Sequence, residues 1–283
     1  MKTTLKNANL TAVIKHLGAE LISLKSNTNK EYIWEGNPVF WGKHSPVLFP
    51  IVGTLKNNTF HHNETDYHLS RHGFAREMDF KLVKATDTSA TFAIQSDEKT
   101  LKMYPFEFEL YLIYTLDEMS ISIAYQVNNS GLSKMPFSIG AHPAFAIPNN
   151  FENYAITFDK EEPLEYSLLE NDLISNKTKK LEVQNKQIPL NYELFKNDAL
   201  IFKTLKSKTL TITENKNPVL RVHFEDFPNL GIWTKKNAPF ICIEPWFGYS
   251  DSNTSSGNLF EKEGIQVLAS KESFRSKFNI EIL

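Results

Sequence analysis

Ser120-Ile-Ser-Ile-Ala-Tyr-Gln-Val-Asn128 alternates almost residue by residue. Ile121, Ile123, Tyr125 and Val127 share one face, with Ser120, Ser122 and Gln126 among their alternates. A period of two is the signature of a half-buried strand. Working outward, the turn at Asp117-Glu118 joins this strand to an apolar run at 106–116, and runs at 90–95 and 80–83 extend the same meander upstream. Short strand patterns also occupy 10–14 and 20–24 around Gly18, and 59–69, which reads as a hairpin turning near Asn63-Glu64. Further ones follow at 219–224, 229–234, 264–269 and 273–282. Residues 97–103 read as a single helical turn, and nothing later sustains a helical period with caps. Many short strands separated by turn signals imply an all-β chain of large antiparallel sheets, a sandwich or barrel.

The 283 residues suffice for one large all-β domain or two small ones. No Pro/Gly/Ser-rich linker or composition break divides them. The polar stretch 170–187 reads as a surface excursion, so 1–283 is expected to form a single domain. The hydrophobic fraction of 41% allows a sizeable core and argues against disorder. The formal net charge is −2 and the basic residues are scattered, which gives no footprint for nucleic acid. No apolar run reaches membrane-spanning length, and Met1-Lys-Thr-Thr-Leu-Lys-Asn7 lacks the apolar segment of a signal peptide, so the default expectation is a soluble cytoplasmic protein without a membrane partner. The single cysteine, Cys242, excludes an intramolecular disulfide and reads as a small core residue.

Four stretches could carry chemistry. Phe240-Ile-Cys-Ile-Glu-Pro-Trp-Phe-Gly-Tyr249 is an apolar strand followed by Glu244, with Pro245 expected to stop the ladder. Glu244 reads either as a strand-end cap or as a partly desolvated carboxylate whose raised pKa suits a general base. Ser70-Arg-His-Gly-Phe-Ala-Arg76 places His72 between Arg71 and Arg76, either in a ligand-facing loop or in a solvated basic turn. Ser138-Ile-Gly-Ala-His-Pro-Ala-Phe145 sets His142 among small and apolar residues, as a tunable acid or a satisfied core histidine. In Phe195-Lys-Asn-Asp-Ala-Leu-Ile-Phe202, Asp198 either binds hydroxyls or forms a turn. His61 and His62 are adjacent in a hairpin, hence opposite-facing, and make a poor metal pair. The sequence shows no His/Cys/Asp cluster at zinc spacing, no Walker loop, no GxGxxG and no GxSxG, and so implies no cofactor.

Taken in order, these stretches resemble the aldose 1-epimerase (galactose mutarotase) superfamily, closest to its galactose-mutarotase-related, LacX-like branch. Gly18-Ala-Glu-Leu-Ile-Ser-Leu24, Glu31-Tyr-Ile-Trp34 and Trp41 through Ser45-Pro-Val-Leu-Phe-Pro50 resemble its opening. His72-Gly, His142-Pro-Ala-Phe and Glu244-Pro-Trp-Phe resemble its three site segments. The resemblance implies a galactose mutarotase-like β-supersandwich with an open carbohydrate-binding cleft on a concave face. It implies a small-molecule carbohydrate substrate and an isomerase that interconverts the α and β anomers of a free aldose. Glu244 would take the proton from the C1 hydroxyl and His142 would protonate the ring oxygen. His72 would hold the sugar and Asp198 would bind hydroxyls. Ring opening needs one base and one acid, expected on opposite sides of C1–O5, and both are regenerated by reversal.

Two positions depart from the family pattern. The usual sugar-contacting Arg falls on Thr54, which cannot replace a guanidinium fork, and Lys56, Arg71 or Arg76 could compensate. A sugar-binding Gln falls near Gly231, leaving Trp233 as a stacking surface. Two other readings follow: a hexose-phosphate mutarotase, with Arg71, Arg76 and Lys56 holding the phosphate, and a non-catalytic sugar-binding or regulatory protein on the same fold.

Overall fold

A computed structural model describes residues 1–183 and 185–283. Two large antiparallel sheets dominate it, as the alternation predicts. The nine-stranded sheet runs in the order Gln187–Pro189, Tyr154–Phe158, Thr209–Glu214, Asn217–His223, Ser273–Ile282, Ser120–Asn129, Phe108–Asp117, Ser89–Gln95, Lys81–Ala85. Its centre is the meander read from sequence. Ser120–Asn129 pairs along its length with both Phe108–Asp117 and Ser273–Ile282. Ile121, Ile123, Tyr125 and Val127 are buried while the alternates between them are partly exposed.

The eight-stranded sheet carries the cleft. Its order is Leu173–Leu181, Leu164–Glu170, Leu200–Phe202, Asn229–Trp233, Phe240–Phe247, Ile139–Ala141, Val47–Leu48, with Ala144–Ala146 also pairing with Phe240–Phe247. Burial of alternate side chains holds the two sheets together. Ile241 and Ile243 belong to the main core, whereas Phe240, Cys242 and Trp246 point the other way into two smaller apolar clusters. A three-stranded sheet of Lys2–Lys6, Leu10–Lys15 and Glu20–Ser26 and a hairpin of Thr59–His62 and Thr65–His68 complete the β structure, with Met135–Phe137 pairing Gln266–Leu268. The only α-helix among the described residues is Glu98–Met103, started by a capping box between Asp97 and Thr100.

Two expectations need correction. Pro245 does not stop the ladder, because the strand continues to Phe247 and Glu244 lies within it. The reason lies in the neighbouring strands. Ala144 pairs with Cys242 and Gly140 with Trp246, so His142 and Pro143 form a gap between two short strands. Ile243 N–H points to that side, donating to Pro143 O. Amide directions alternate along a strand, so the donor that Pro245 lacks would have pointed into the same gap. The polar stretch 170–187, expected as a surface excursion, contributes the edge strand Leu173–Leu181 paired with Leu164–Glu170; residue 184 of that stretch lies outside the described residues.

Candidate active site

An open cleft of about 510 Å³ lies over the cleft-side face of the Phe240–Phe247 strand. Side chains two apart in a strand share a face, so Phe240, Cys242, Glu244 and Trp246 form one row. Glu244 is the polar member, and its side chain is only 1% exposed. Opposite it, across the ladder, is Gly231. A Cβ at Gly231 would lie 2.4 Å from the Trp246 ring, and one at Gly140 would lie 2.5 Å from the same indole. The two glycines therefore let that ring lie flat across three strands, with its Nε1–H donating to Ala141 O at 3.2 Å.

His142 occupies the gap beside Glu244. Its Nε2 is 3.2 Å from Glu244 Oε2. Among the described residues neither that oxygen nor His142 Nδ1 has a hydrogen-bond partner of good geometry. Burial pushes the Glu244 carboxyl well above the usual carboxylate range, with Arg71 opposing and Asp198 adding to the rise. Burial pushes His142 down, to about 3. Trp41 stacks on the imidazole with ring centroids 4.7 Å apart, and Trp233 meets it edge-on at 5.7 Å. Glu244 and His142 are thus brought together, side by side on the cleft floor.

His72 reaches the cleft from the Ser70–Arg76 loop. His72 and Gly73 both adopt left-handed backbone, with φ of 69° at each. At Gly73 this conformation is obligatory, since a Cβ would fall 2.3 Å from Phe49 O. At a histidine it is strained, as it is at Asp198 with φ 78°. Gly53 N–H donates to His72 Nδ1 at 3.1 Å, which leaves the ring proton on Nε2. Arg71 Nε–H also approaches that Nε2, at 3.3 Å. Two donors converge there, so an oxygen placed between them would satisfy both. Burial, then the neighbouring His142, Arg71 and Arg76, hold His72 well below its usual pKa, and the ring is neutral.

Arg71 bridges two carboxylates, lying 3.1 Å from Asp172 and 3.7 Å from Asp198. Arg76 Nη2 donates to Arg71 O at 2.8 Å, and its buried Nε has no hydrogen-bond partner. Asp198, Arg71, Arg76 and Trp233 all line the cleft, as do Lys235 and Lys236 at its rim. Thr54 and Lys56 do not. Thr54 is buried with its N–H on Ser250 Oγ, and Lys56 donates its N–H to Asp251 and its ammonium to Ser255 O. Lys56 therefore lies outside the cleft with its donors engaged, whereas Arg71 and Arg76 line it. Trp41 and Trp246 are cleft residues to which the sequence reading gave no role, although both sit inside the motif segments it quoted. The absence of a zinc-spaced cluster in sequence also needs qualification. Donor atoms of His142, Cys242 and Glu244 lie within 4.8 Å of one another.

Comparison with known proteins finds relatives along the whole chain. The family described as aldose 1-epimerase matches residues 1–280. The chromosomal protein LacX of Lactococcus lactis subsp. lactis is 36% identical over 299 residues, covering 100% of both chains. A solved galactose mutarotase related enzyme from Lactobacillus acidophilus superposes with a TM-score of 0.96 at 34% identity, covering 100% of this chain and 97% of its own. A galactose mutarotase-like protein from Lactobacillus casei gives 0.95 at 29% identity, with both chains fully covered.

Proposed function

The chain belongs to the aldose 1-epimerase family, in its LacX-like, galactose mutarotase-related branch, and on that premise we propose that it interconverts the α and β anomers of a free, neutral aldose by opening and reclosing the sugar ring. The observation that carries this reading is the buried Glu244 carboxylate 3.2 Å from the His142 imidazole on the floor of an open cleft. Glu244 takes the proton of the C1 hydroxyl while His142 protonates the ring oxygen. The C1–O5 bond breaks, the aldehyde forms, rotation about C1–C2 exchanges its faces, and the reverse transfers close the ring. The hydroxyl oxygen and the ring oxygen are both bonded to C1, so two neighbouring groups on one floor reach both. His72 Nε2–H and Arg71 donate to sugar oxygens and Asp198 accepts from hydroxyls. Arg76 braces the loop through Arg71 O. Trp233 offers an apolar face for the sugar's C–H surface. No metal or organic cofactor is needed for these proton transfers.

Saturation-transfer NMR or polarimetry on a panel of aldoses tests this directly. Acceleration of anomer exchange above the buffer rate is expected for at least one free aldose. Sugar binding without acceleration across the panel overturns the catalytic reading and leaves a carbohydrate-binding protein. A phosphorylated aldose is the second reading, favoured by Lys235 and Lys236 at the cleft rim.

A further inference from the structure

Cys242 plays no part in the proposed proton transfers, yet it belongs to the same row of side chains as Glu244. It is fully buried, and burial, then the nearby Glu244, push its thiol well above the usual range. One donor atom each from Cys242, Glu244 and His142 lies within 4.8 Å of the other two. Four-coordinate zinc binds nitrogen and oxygen at about 2.0–2.2 Å and sulfur at about 2.3 Å, so neighbouring ligand atoms in a tetrahedron stand roughly 3.3–3.8 Å apart. The His142 Nε2 to Glu244 Oε2 separation of 3.2 Å is already close to that bite. The thiol, inside the 4.8 Å limit, has at most about 1.5 Å to close. A second observation points to a missing partner. Glu244 Oε2, the carboxylate oxygen facing His142 Nε2, is buried with no hydrogen-bond partner among the described residues, and such atoms are uncommon unless a ligand completes them.

We propose that Cys242, Glu244 and His142 form a site for a thiophilic divalent cation such as Zn²⁺, with the fourth position open to the cleft. The charges balance. On binding, the thiol proton and the proton carried by the Glu244–His142 pair leave to solvent, and a thiolate, a carboxylate and a neutral imidazole remain. Two anionic ligands cancel the two charges of the cation, so no net charge is left on the buried floor. Soft sulfur with imidazole and carboxylate selects zinc and cadmium over magnesium or calcium, which take all-oxygen shells. Occupancy ties up both groups of the proton-transfer pair. The cation therefore acts as a reversible inhibitor if the isomerase reading holds, whereas the binding itself does not depend on that reading.

Cadmium is the probe, because a Cd–thiolate bond gives an ultraviolet charge-transfer band. The full chain is titrated with Cd²⁺ and, separately, with Zn²⁺, and metal per chain is counted after equilibrium dialysis. The expected result is one cation per chain, a thiolate band that saturates with it, and release by EDTA. Cys242→Ala is expected to lose the band and weaken binding at least tenfold, while anomer exchange in metal-free buffer is unchanged. Cys242→Ser serves the same comparison if the alanine variant fails to fold. Absence of the band in the unaltered chain overturns the proposal without recourse to any variant. So does equal cadmium affinity with and without the thiol, which would place the ion elsewhere, for instance at the exposed His61–Asp66 pair. In an active preparation, inhibition by Zn²⁺ that EDTA reverses and Cys242→Ala escapes adds the functional arm. A preparation without activity still yields the binding result.

Discussion

The opposed shifts of Glu244 and His142 set what the cleft floor can do. Burial disfavours charge on both, raising the carboxyl and lowering the imidazole to about 3. Over the neutral range the pair therefore keeps one proton between its members and titrates as a unit, and the proposed roles draw on the tautomer in which that proton sits on His142 and Glu244 is ionised. Transfer in either direction needs that one proton and one vacancy. Activity falls when a second proton is added, which His142 accepts only well below 6.5, and when the shared proton is removed from Glu244, above the usual carboxylate range. The pH profile of kcat/KM is expected to run flat through pH 6.5, with its acid limb well below that value. An acid limb centred near 6.5 would show an imidazole that behaves as if solvated, contrary to its burial. Glu244→Gln retains shape and removes the base, so activity is expected to drop by roughly 10²–10⁴-fold with the unfolding midpoint little changed. A glutamine variant that turns over nearly as fast as the parent excludes Glu244 from that role. Glu244 and His142 were both legible as residue types in suggestive segments. Their contact was not, because it depends on the gap between Ile139–Ala141 and Ala144–Ala146, which only the strand pairing creates.

The elements behind the floor explain which parts of the fold the sequence conveyed. The alternating strands were plain because each buries one face against the core. The edge strand Leu173–Leu181 was not, because its exposed half carries Lys177, Lys179 and Lys180. Charges of this kind blunt an edge against unwanted pairing and also erase the apolar signal. Glu20, inside the quoted Gly18-Ala-Glu segment, shows how a distant element supports the site. Its carboxylate accepts from His44 N and Ser45 N at 2.7 and 3.1 Å and lies 2.7 Å from Lys15 Nζ. His44 O in turn receives the N–H of Ala144, two residues after His142. Burial works against the charge on Glu20, but the His44 side chain 3.8 Å away, the Lys15 ammonium and the His44 backbone N–H outweigh it and hold the pKa at about 2. A shift of that size corresponds to about 3 kcal/mol. A depressed carboxyl contributes stability above its unfolded value of 4.5 that is lost as pH falls through the folded value of about 2. Glu20→Gln is therefore expected to destabilise by about 1–3 kcal/mol at pH 7, and the gap to the parent should shrink as pH drops below 4.5. A gap in chemical denaturation that stays constant from pH 7 to pH 3 contradicts this account. Gly231→Val tests the other support. Its side chain would displace the Trp246 ring, at a cost of about 1–3 kcal/mol from overpacking, together with a raised KM. An unchanged melting temperature would mean that the indole has room the structure does not show.

At the scale of the whole molecule, the proposed reading makes charge the property that sorts neutral from phosphorylated sugars. The chain carries a formal net charge of −2, so no long-range field draws anions in. Around the cleft the cations are largely engaged. Arg71 is held by Asp172 and Asp198, Arg76 Nε lies 3.7 Å from Glu77, and Lys235 donates to Phe40 O. A phosphate dianion needs several donors converging on one point, usually with an arginine fork. Freeing Arg71 for that purpose would leave two carboxylates without their partner. Hydroxyl groups suit the arrangement better, since each both donates and accepts and can enter between Arg71 and Asp198 without breaking the charge balance. We therefore expect kcat/KM for glucose or galactose to exceed that for the corresponding 6-phosphate. The comparison is made in one buffer at two salt concentrations, because attraction between exposed charges weakens as the Debye length falls from ~10 Å at 0.1 M to ~3 Å at 1 M. A tenfold or greater preference for the phosphate ester, shrinking as salt rises, would overturn this expectation. It would make Arg71, Arg76 and the rim lysines Lys235 and Lys236 the specificity residues, with the Arg71–carboxylate bridge as the contact that the phosphate displaces.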